Sequence, residues 1–518
     1  MDPAAHSEAD GGDAIRSAVR YRLRKTVIDV VPARLRVPHQ HERGNTLSER
    51  ETIEADYLIV GAGAMGMAFA DTLVAETDAT VAIVDRYGRP GGHWTVAYPY
   101  VRLHQPSAFY GVNSRELGTG EVDQHGWNAG LHELASADEI LTYFDRVMRK
   151  TLLSTGRVSY FPMSHYDGAD PARPDVQRCH SVVTGCEFDI RVRRRTVDAT
   201  YMNVTVPAMC PPKYEVGSGV RLITPNQLPA LDHSASHYTV VGAGKTGIDA
   251  CLWLLQHGVD PSRITWIMPR DAWLLDRAQI QPGPEFAATN AESLNARIRA
   301  VLESHTVEEL FPRLEAIGLL LRLSSDVTPT AFRCATVTQA ELEQLRRIPD
   351  IVRNGRVRRI GVSTVELDGV TVPARPGTLY IDCTADGLEA RPAVPMFRGP
   401  HITLQALVPC QQVFSAAFAA HIEAAYEDEA QKNRICVASP HPNTALDCLR
   451  TMVHSDDLLL RWSAVPGLLE WCDASRLTKH SIGSLPDVQR TALFEGLHAE
   501  KTQLQELLAH EGQTVVAN

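Results

Sequence analysis

Short unbroken apolar runs and longer amphipathic stretches take turns along this chain. Tyr57-Leu58-Ile59-Val60 is apolar throughout, the signature of a strand buried on both faces of a parallel sheet. Residues 64–75 have helical composition, and Val81-Ala82-Ile83-Val84 is a second apolar run. A glycine-rich turn separates the first run from the helix, so strand, turn, helix and strand form one βαβ unit. The same order returns in His237-Tyr238-Thr239-Val240-Val241, a second glycine-rich turn, a helix over 248–257 and a strand over 264–268. Between the two units, Ser136-Ala137-Asp138-Glu139 is a capping box for a helix running to about Lys150. Residues 182–189 and 190–205 alternate in the manner of antiparallel strands. Residues 285–350 read as mostly helical, with a second capping box at Thr338-Gln339-Ala340-Glu341. Leu379-Tyr380-Ile381-Asp382 returns as a buried strand, and amphipathic helices run from Thr451 through 500–510.

The pattern predicts an α/β fold with two Rossmann-like dinucleotide-binding domains, an added helical segment and a helical C-terminal tail. The length of 518 residues exceeds what one core supports. The expected division is an arm over 1–54, a discontinuous first domain over 55–220 and 375–450, a second domain over 221–374, and a tail over 451–518. Composition adds mainly exclusions. A net charge of −11 argues against nucleic acid as a partner, although Arg16, Arg20, Arg22, Arg24, Lys25, Arg34 and Arg36 make the arm locally basic. No apolar run is long enough for a bilayer and no signal segment opens the chain, so a cytoplasmic protein with no membrane partner is expected. None of the ten cysteines forms a Cys-x-x-Cys pair, and the nearest two are Cys179 and Cys186. They read as small buried hydrophobes, and no metal-ligand set is expected.

Each glycine turn has a chemical purpose. In Gly61-Ala62-Gly63-Ala64-Met65-Gly66, Gly61 permits the turn, Gly63 admits a pyrophosphate to the backbone, and Gly66 lets the helix pack on the strand. The phosphates then meet the free N–H groups of the helix, with Ala64 and Met65 in its first turn. Asp85, about twenty residues on and followed by Arg86, is the expected acceptor for ribose hydroxyls. This fingerprint serves NAD and FAD alike. Downstream, Arg89-Pro90-Gly91-Gly92-His93-Trp94 resembles the Gly-Gly-x-Trp segment of flavin-containing monooxygenases and related two-dinucleotide-domain oxidoreductases. The resemblance implies FAD in the first domain. It puts Gly92, His93, Trp94 and Arg102 beside the cofactor, and His104 and Gln105 facing the ring as candidate catalytic residues. It also likens Tyr380–Gly387, with Asp386, to the segment on which such flavoproteins return to the FAD domain, and 402–421 to their closing segment.

In the second turn Gly242, Gly244 and Gly247 fit a dinucleotide, while Thr239 stands where a P-loop requires glycine. Lys245 and Thr246 are expected to add a charge and a hydroxyl to the phosphates. Arg270, at the position where an NAD site carries an acid, favours the 2′-phosphate of NADPH. Trp273 and Arg277 are further candidates to wall the nicotinamide.

Two such sites imply hydride transfer from NADPH to FAD. The lack of a local dithiol argues against a disulfide reductase. The resemblance implies a monooxygenase that inserts one atom of O2 into a small organic molecule, such as a secondary metabolite, through a flavin C4a-(hydro)peroxide. One departure stands out: Leu228-Pro229-Ala230-Leu231-Asp232-His233-Ser234 lacks the Phe and Gly of the Phe-x-Gly-x-x-x-His signature, which leaves His233 either a remnant of it or a loop histidine. An FAD/NADPH dehydrogenase, oxidase or reductase without oxygen insertion stays open, as does a flavin-binding sensor or scaffold. The helical tail is compatible with a homodimer.

Overall fold

The apolar runs assemble into two parallel sheets. The computed structural model describes residues 51–478 and 482–517, so the basic arm lies outside the described residues except for its end. The first strand begins at Glu51, not after residue 54, and runs to Val60. It pairs in parallel with Val81–Val84 on one side and with Glu187–Asp198 on the other. Val158–Phe161 extends the sheet beyond Val81–Val84, and His401–Thr403 lies parallel to Glu187–Asp198 at the opposite end. Leu58 and Ile59 are fully buried, as a strand covered on both faces requires. The helix Ala64–Glu76 packs on the helix Gln412–Ala425. Both carry buried alanines, Ala68 and Ala70 against Ala416, Ala417, Ala419 and Ala420, which allow close approach.

The second sheet has the order Asp350–Val352, Ile264–Ile267, His237–Val241, Thr378–Asp382 and Arg221–Ile223, parallel throughout. This corrects the expected domain boundary at 375. Tyr380 pairs with Thr239 and Asp382 with Val241, so this strand belongs to the second unit. The chain rejoins the first sheet at Phe397–Arg398 and His401–Thr403. An apolar run reports burial on both faces but not which sheet supplies the neighbours.

Two further expectations are corrected. Residues 182–185 form a turn between the antiparallel strands Arg173–Ser181 and Glu187–Asp198, and Val182 and Val183 are exposed. The segment 285–350 is not mainly helical. Its helices Ala287–Leu302, Val307–Ala316 and Gln339–Leu345 are interrupted by the strand Ala331–Val337, which pairs in parallel with Ala272–Asp276. Both capping boxes form, at Ser136 and at Thr338. No helix among the described residues is long and apolar enough to cross a membrane.

The tail begins earlier than expected, with the helix Ala445–Ser463 capped by Thr444, and ends in the helix Asp487–Ala517. The helix Asp487–Ala517 packs on both Ala445–Ser463 and Ala287–Leu302. Arg297 sits between the two tail helices and bonds both Asp456 and Glu500 at 2.8 Å. Both carboxylates are buried, and desolvation followed by the charge of Glu500 pushes the Asp456 pKa up, against the pull of Arg297. Arg297→Met leaves two buried acids without a cation. It is expected to lower stability by about 3–5 kcal/mol, read from urea unfolding, and replacing all three groups with apolar residues should recover most of that loss.

Candidate functional site

Each glycine turn brings a helix N-terminus against the end of a parallel strand. Gly61 and Gly242 take φ of +101° and +129°, a region that residues with a Cβ avoid. A Cβ on Gly66 would overlap the Gly61 carbonyl oxygen, and one on Gly247 would overlap that of Gly242. The Ala62 N–H donates to Asp85 at 2.5 Å, and the Tyr87 N–H donates to its other oxygen at 2.7 Å. Asp85 therefore latches the first turn to the second strand. It is buried, which raises its pKa against the opposing pull of the two N–H groups. The Gly91 N–H donates to the Ala62 carbonyl at 2.9 Å, and a Cβ on Gly92 would stand 3.0 Å from the Gly63 Cα. The Gly91-Gly92 pair is thus a strap lying directly on the first turn.

Neither helix is capped by a side chain. Gly63 and Gly244 are the N-cap residues, and no acid occupies either first turn. A third helix, Gln412–Ala425, also starts without a side-chain cap, at Gln411. All three N-termini border one cavity of about 1020 Å³, at the upper end of ligand-site volumes. Unmet N–H groups and aligned dipoles aimed at one space suit the phosphates of dinucleotides.

Ala64, Met65, Arg86, His93, Trp94, Arg102, His104, Gln105, Thr246, Arg270 and Asp386 all line this cavity. Trp94 donates its indole N–H to the Tyr110 hydroxyl at 2.7 Å. His93 is held neutral by burial, which lowers its pKa to about 4. His104 Nδ1 accepts the Thr336 N–H at 3.3 Å, which leaves the ring proton on Nε2. Gln105 Oε1 accepts from Gln411 Nε2 at 2.8 Å. Gln105 Nε2 and Gln411 Oε1 are buried and have no protein partner. Buried amide groups are nearly always bonded, so this spare donor and spare acceptor fit a polar heterocycle edge such as the flavin pyrimidine. The residues present fit FAD at the first turn.

Several expected roles change. Lys245 pairs with Asp249 on its own helix, and Asp249 also accepts the Tyr98 hydroxyl at 2.7 Å, so the lysine charge is already engaged. Asp386 pairs with Lys213 and follows a strand of the second sheet, not the first. Arg277 is fully buried and bonds Glu341 and Asn128 at 2.9 Å and the His104 carbonyl at 3.0 Å, which makes it a brace away from the cavity. Trp273 stacks on Phe311 in the core. His233 pairs with Asp232 on the surface.

Two features lie beyond short-range sequence reading. Arg270 is joined at the cavity wall by Arg333 and Arg356. Arg270 and Arg333 share the Asn443 side-chain oxygen, at 3.1 and 2.7 Å. Burial, then the charges of Arg270 and Arg356, lowers the Arg333 pKa against the opposing charge of Asp386, so the wall is cationic on balance and suited to an anion such as a 2′-phosphate. The reading of every cysteine as a small buried hydrophobe is also corrected, although no local Cys-x-x-Cys pair exists. Cys334 and Cys410, 76 residues apart, form a disulfide on the same wall. No local motif signals either feature, because their members come from separate elements.

Residues 59–104 match the model of an NAD(P)-binding Rossmann-like domain. The chain is 54% identical over 433 residues to the uncharacterized protein Rv2000 of Mycobacterium tuberculosis, covering 83% of this chain and 79% of that protein. Among solved structures it is similar to a flavin-containing monooxygenase from Stenotrophomonas maltophilia, at 13% identity, a TM-score of 0.43, and 74% and 100% coverage of the two chains. An oxidized steroid monooxygenase bound to NADP matches at 14% identity, a TM-score of 0.47, and 89% and 98% coverage.

Gly66→Ala forces a methyl group into the first turn and is expected to weaken FAD retention by about tenfold or more, roughly 1.4 kcal/mol. Cofactor content after gel filtration measures this. Gly258→Ala, at a helix end with φ of +77° and nothing within 4 Å of its Cβ position, strains the backbone away from the cavity and should leave the FAD content per folded protein unchanged.

Proposed function

The chain belongs to the family of the Mycobacterium tuberculosis protein Rv2000, and we propose that it is an FAD-dependent, NADPH-consuming monooxygenase. The observation that carries this reading is the convergence of two glycine turns with uncapped helices on one cavity. One such turn serves a single nucleotide; two facing the same space bring a hydride donor and its acceptor together.

The first turn holds the FAD pyrophosphate, with Asp85 toward the ribose. Its carboxylate keeps spare lone pairs beyond the two backbone N–H groups it accepts. The second turn holds NADPH, with Arg270 and Arg333 toward the 2′-phosphate. Gln105 and Gln411 present the donor and acceptor that orient the flavin edge, and Trp94, Tyr98 and Tyr110 keep that end of the cavity apolar. FAD held there would supply the chemistry of a monooxygenase, in which NADPH provides two electrons, one oxygen atom of O2 goes to a small organic substrate and the other leaves as water. The resemblance of Gly91-Gly92-His93-Trp94 supports the oxygen route. The cytoplasm, which holds NADPH, is the working compartment in this reading.

With substrate and O2, one NADPH is expected to be consumed per oxygenated product, measured by mass spectrometry and the loss of nicotinamide absorbance. NADPH oxidation that yields only hydrogen peroxide, whatever the substrate offered, would identify an oxidase instead. Arg270→Ala and Arg333→Ala should each raise the KM for NADPH about tenfold to a hundredfold with little change for NADH, since hydrogen bonds to charged groups contribute roughly 1.5–3 kcal/mol. Equal effects on the two nucleotides would refute the 2′-phosphate contact.

A further inference from the structure

The cavity wall carries a cysteine pair that oxygen transfer does not use. Cys334 lies on the strand Ala331–Val337, and Cys410 directly precedes Gln411, the N-cap of the helix Gln412–Ala425. Their Cα atoms are 6.4 Å apart, within the usual disulfide range. The backbone around both departs from the regular pattern. Trp273 pairs with Phe332 and Leu275 with Thr336, so three residues, 333–335, bulge opposite Leu274 with Cys334 at their centre. Bulges of this kind re-aim a side chain and concentrate beside active sites.

Cys334 and Cys410 take φ of 56° and 62°. Among the described residues only Met163 and Asn203 are other non-glycine residues with positive φ. Such a conformation is disfavoured for a residue with a Cβ, and it persists where the surroundings impose it, often at functional sites. Here it occurs at both ends of one bond.

The neighbours place the pair where a flavin ring is expected. Gln411, next to Cys410, bonds Gln105, and these two residues carry the unpartnered amide donor and acceptor. Thr336, two residues after Cys334, donates its N–H to His104. Both sulfur-bearing residues line the same cavity as the first glycine turn. The other eight cysteines are free thiols, six of them buried.

We propose that Cys334–Cys410 is a redox-active disulfide that accepts an electron pair from the reduced flavin, giving the protein a second two-electron store and a disulfide-reductase half-reaction. This rests on the reading that the cavity holds FAD. In the overall step NADPH is oxidised to NADP⁺ and the S–S bond breaks. The electron pair of the nicotinamide hydride would reach the sulfurs through the flavin, and both sulfurs end as thiols at the net cost of one proton from solvent, with no net change in the flavin. A dithiol–disulfide couple carries two electrons, so its capacity adds to that of the flavin.

The test uses the purified holoenzyme under anaerobic conditions. FAD content is measured first, from the visible flavin band and from acid-released cofactor. NADPH is then titrated to a spectral end point, and samples are alkylated with iodoacetamide before and after for peptide mass mapping. The expected result is two NADPH per FAD, with the Cys334 and Cys410 peptides linked before reduction and singly alkylated after it. C334S and C410S should halve the requirement to one NADPH per FAD. If either variant fails to fold, the wild-type titration and peptide map decide alone. A yellow protein that reaches its end point with one NADPH while the peptides stay linked overturns the proposal and leaves the flavin reading intact. Peptides already alkylated in the air-purified protein also overturn it. A protein without FAD overturns the flavin reading and the proposal together.

Discussion

The contact on which this structure turns is that between a glycine and the carbonyl oxygen at the end of a strand. Gly66 lies against Gly61, and Gly247 against Gly242, with no room for a Cβ in either place. That closeness points a helix N-terminus into the space beyond the sheet. The chain leaves the exposed N–H groups without a side-chain cap, and no first-turn acid meets the dipole. A helix end left in that state favours an anion from outside the chain, and the two turns open into the same cavity.

The remaining features of the cavity build on that constraint. The Gly91-Gly92 strap can lie on the first turn because Gly63 presents bare backbone to it. A third helix begins at the same cavity because its alanine face packs closely on the first helix. Gln411, at its start, then reaches Gln105. The cationic wall of Arg270, Arg333 and Arg356 is a local exception in a chain of net charge −11. Local sign matters for a ligand within reach of the wall, because screening shortens the influence of the distant acids.

The cysteine pair shows how a redox group can arise without a local motif. A dithiol in one loop is set by sequence spacing, and the chain has none. Cys334 comes from a bulged strand beside the second sheet, and Cys410 from the start of a helix on the first. Their approach depends on both units being packed around one cavity. Arg277 serves the same end, since its bonds to His104, Asn128, the Thr336 carbonyl and Glu341 tie the segment after the strap to the bulged strand and the helix that follows it.

What the sequence determined by itself was local: both strand–glycine–helix turns, Asp85 at the end of the second strand, and the capping boxes at Ser136 and Thr338. Each depends on residues a few positions apart, whose steric and hydrogen-bonding demands are met within one element or its nearest neighbour. Tertiary structure alone decided that Thr378–Asp382 joins the second sheet, because an apolar strand carries no label for its partners. It also decided that Ala331–Val337 is a strand within a segment of helical composition, that Lys245 faces Asp249, and that Arg333 joins Arg270. The bond between Cys334 and Cys410 belongs with these. Contacts across 76 residues are set by how sheets and helices pack, and no short-range period in the chain records them.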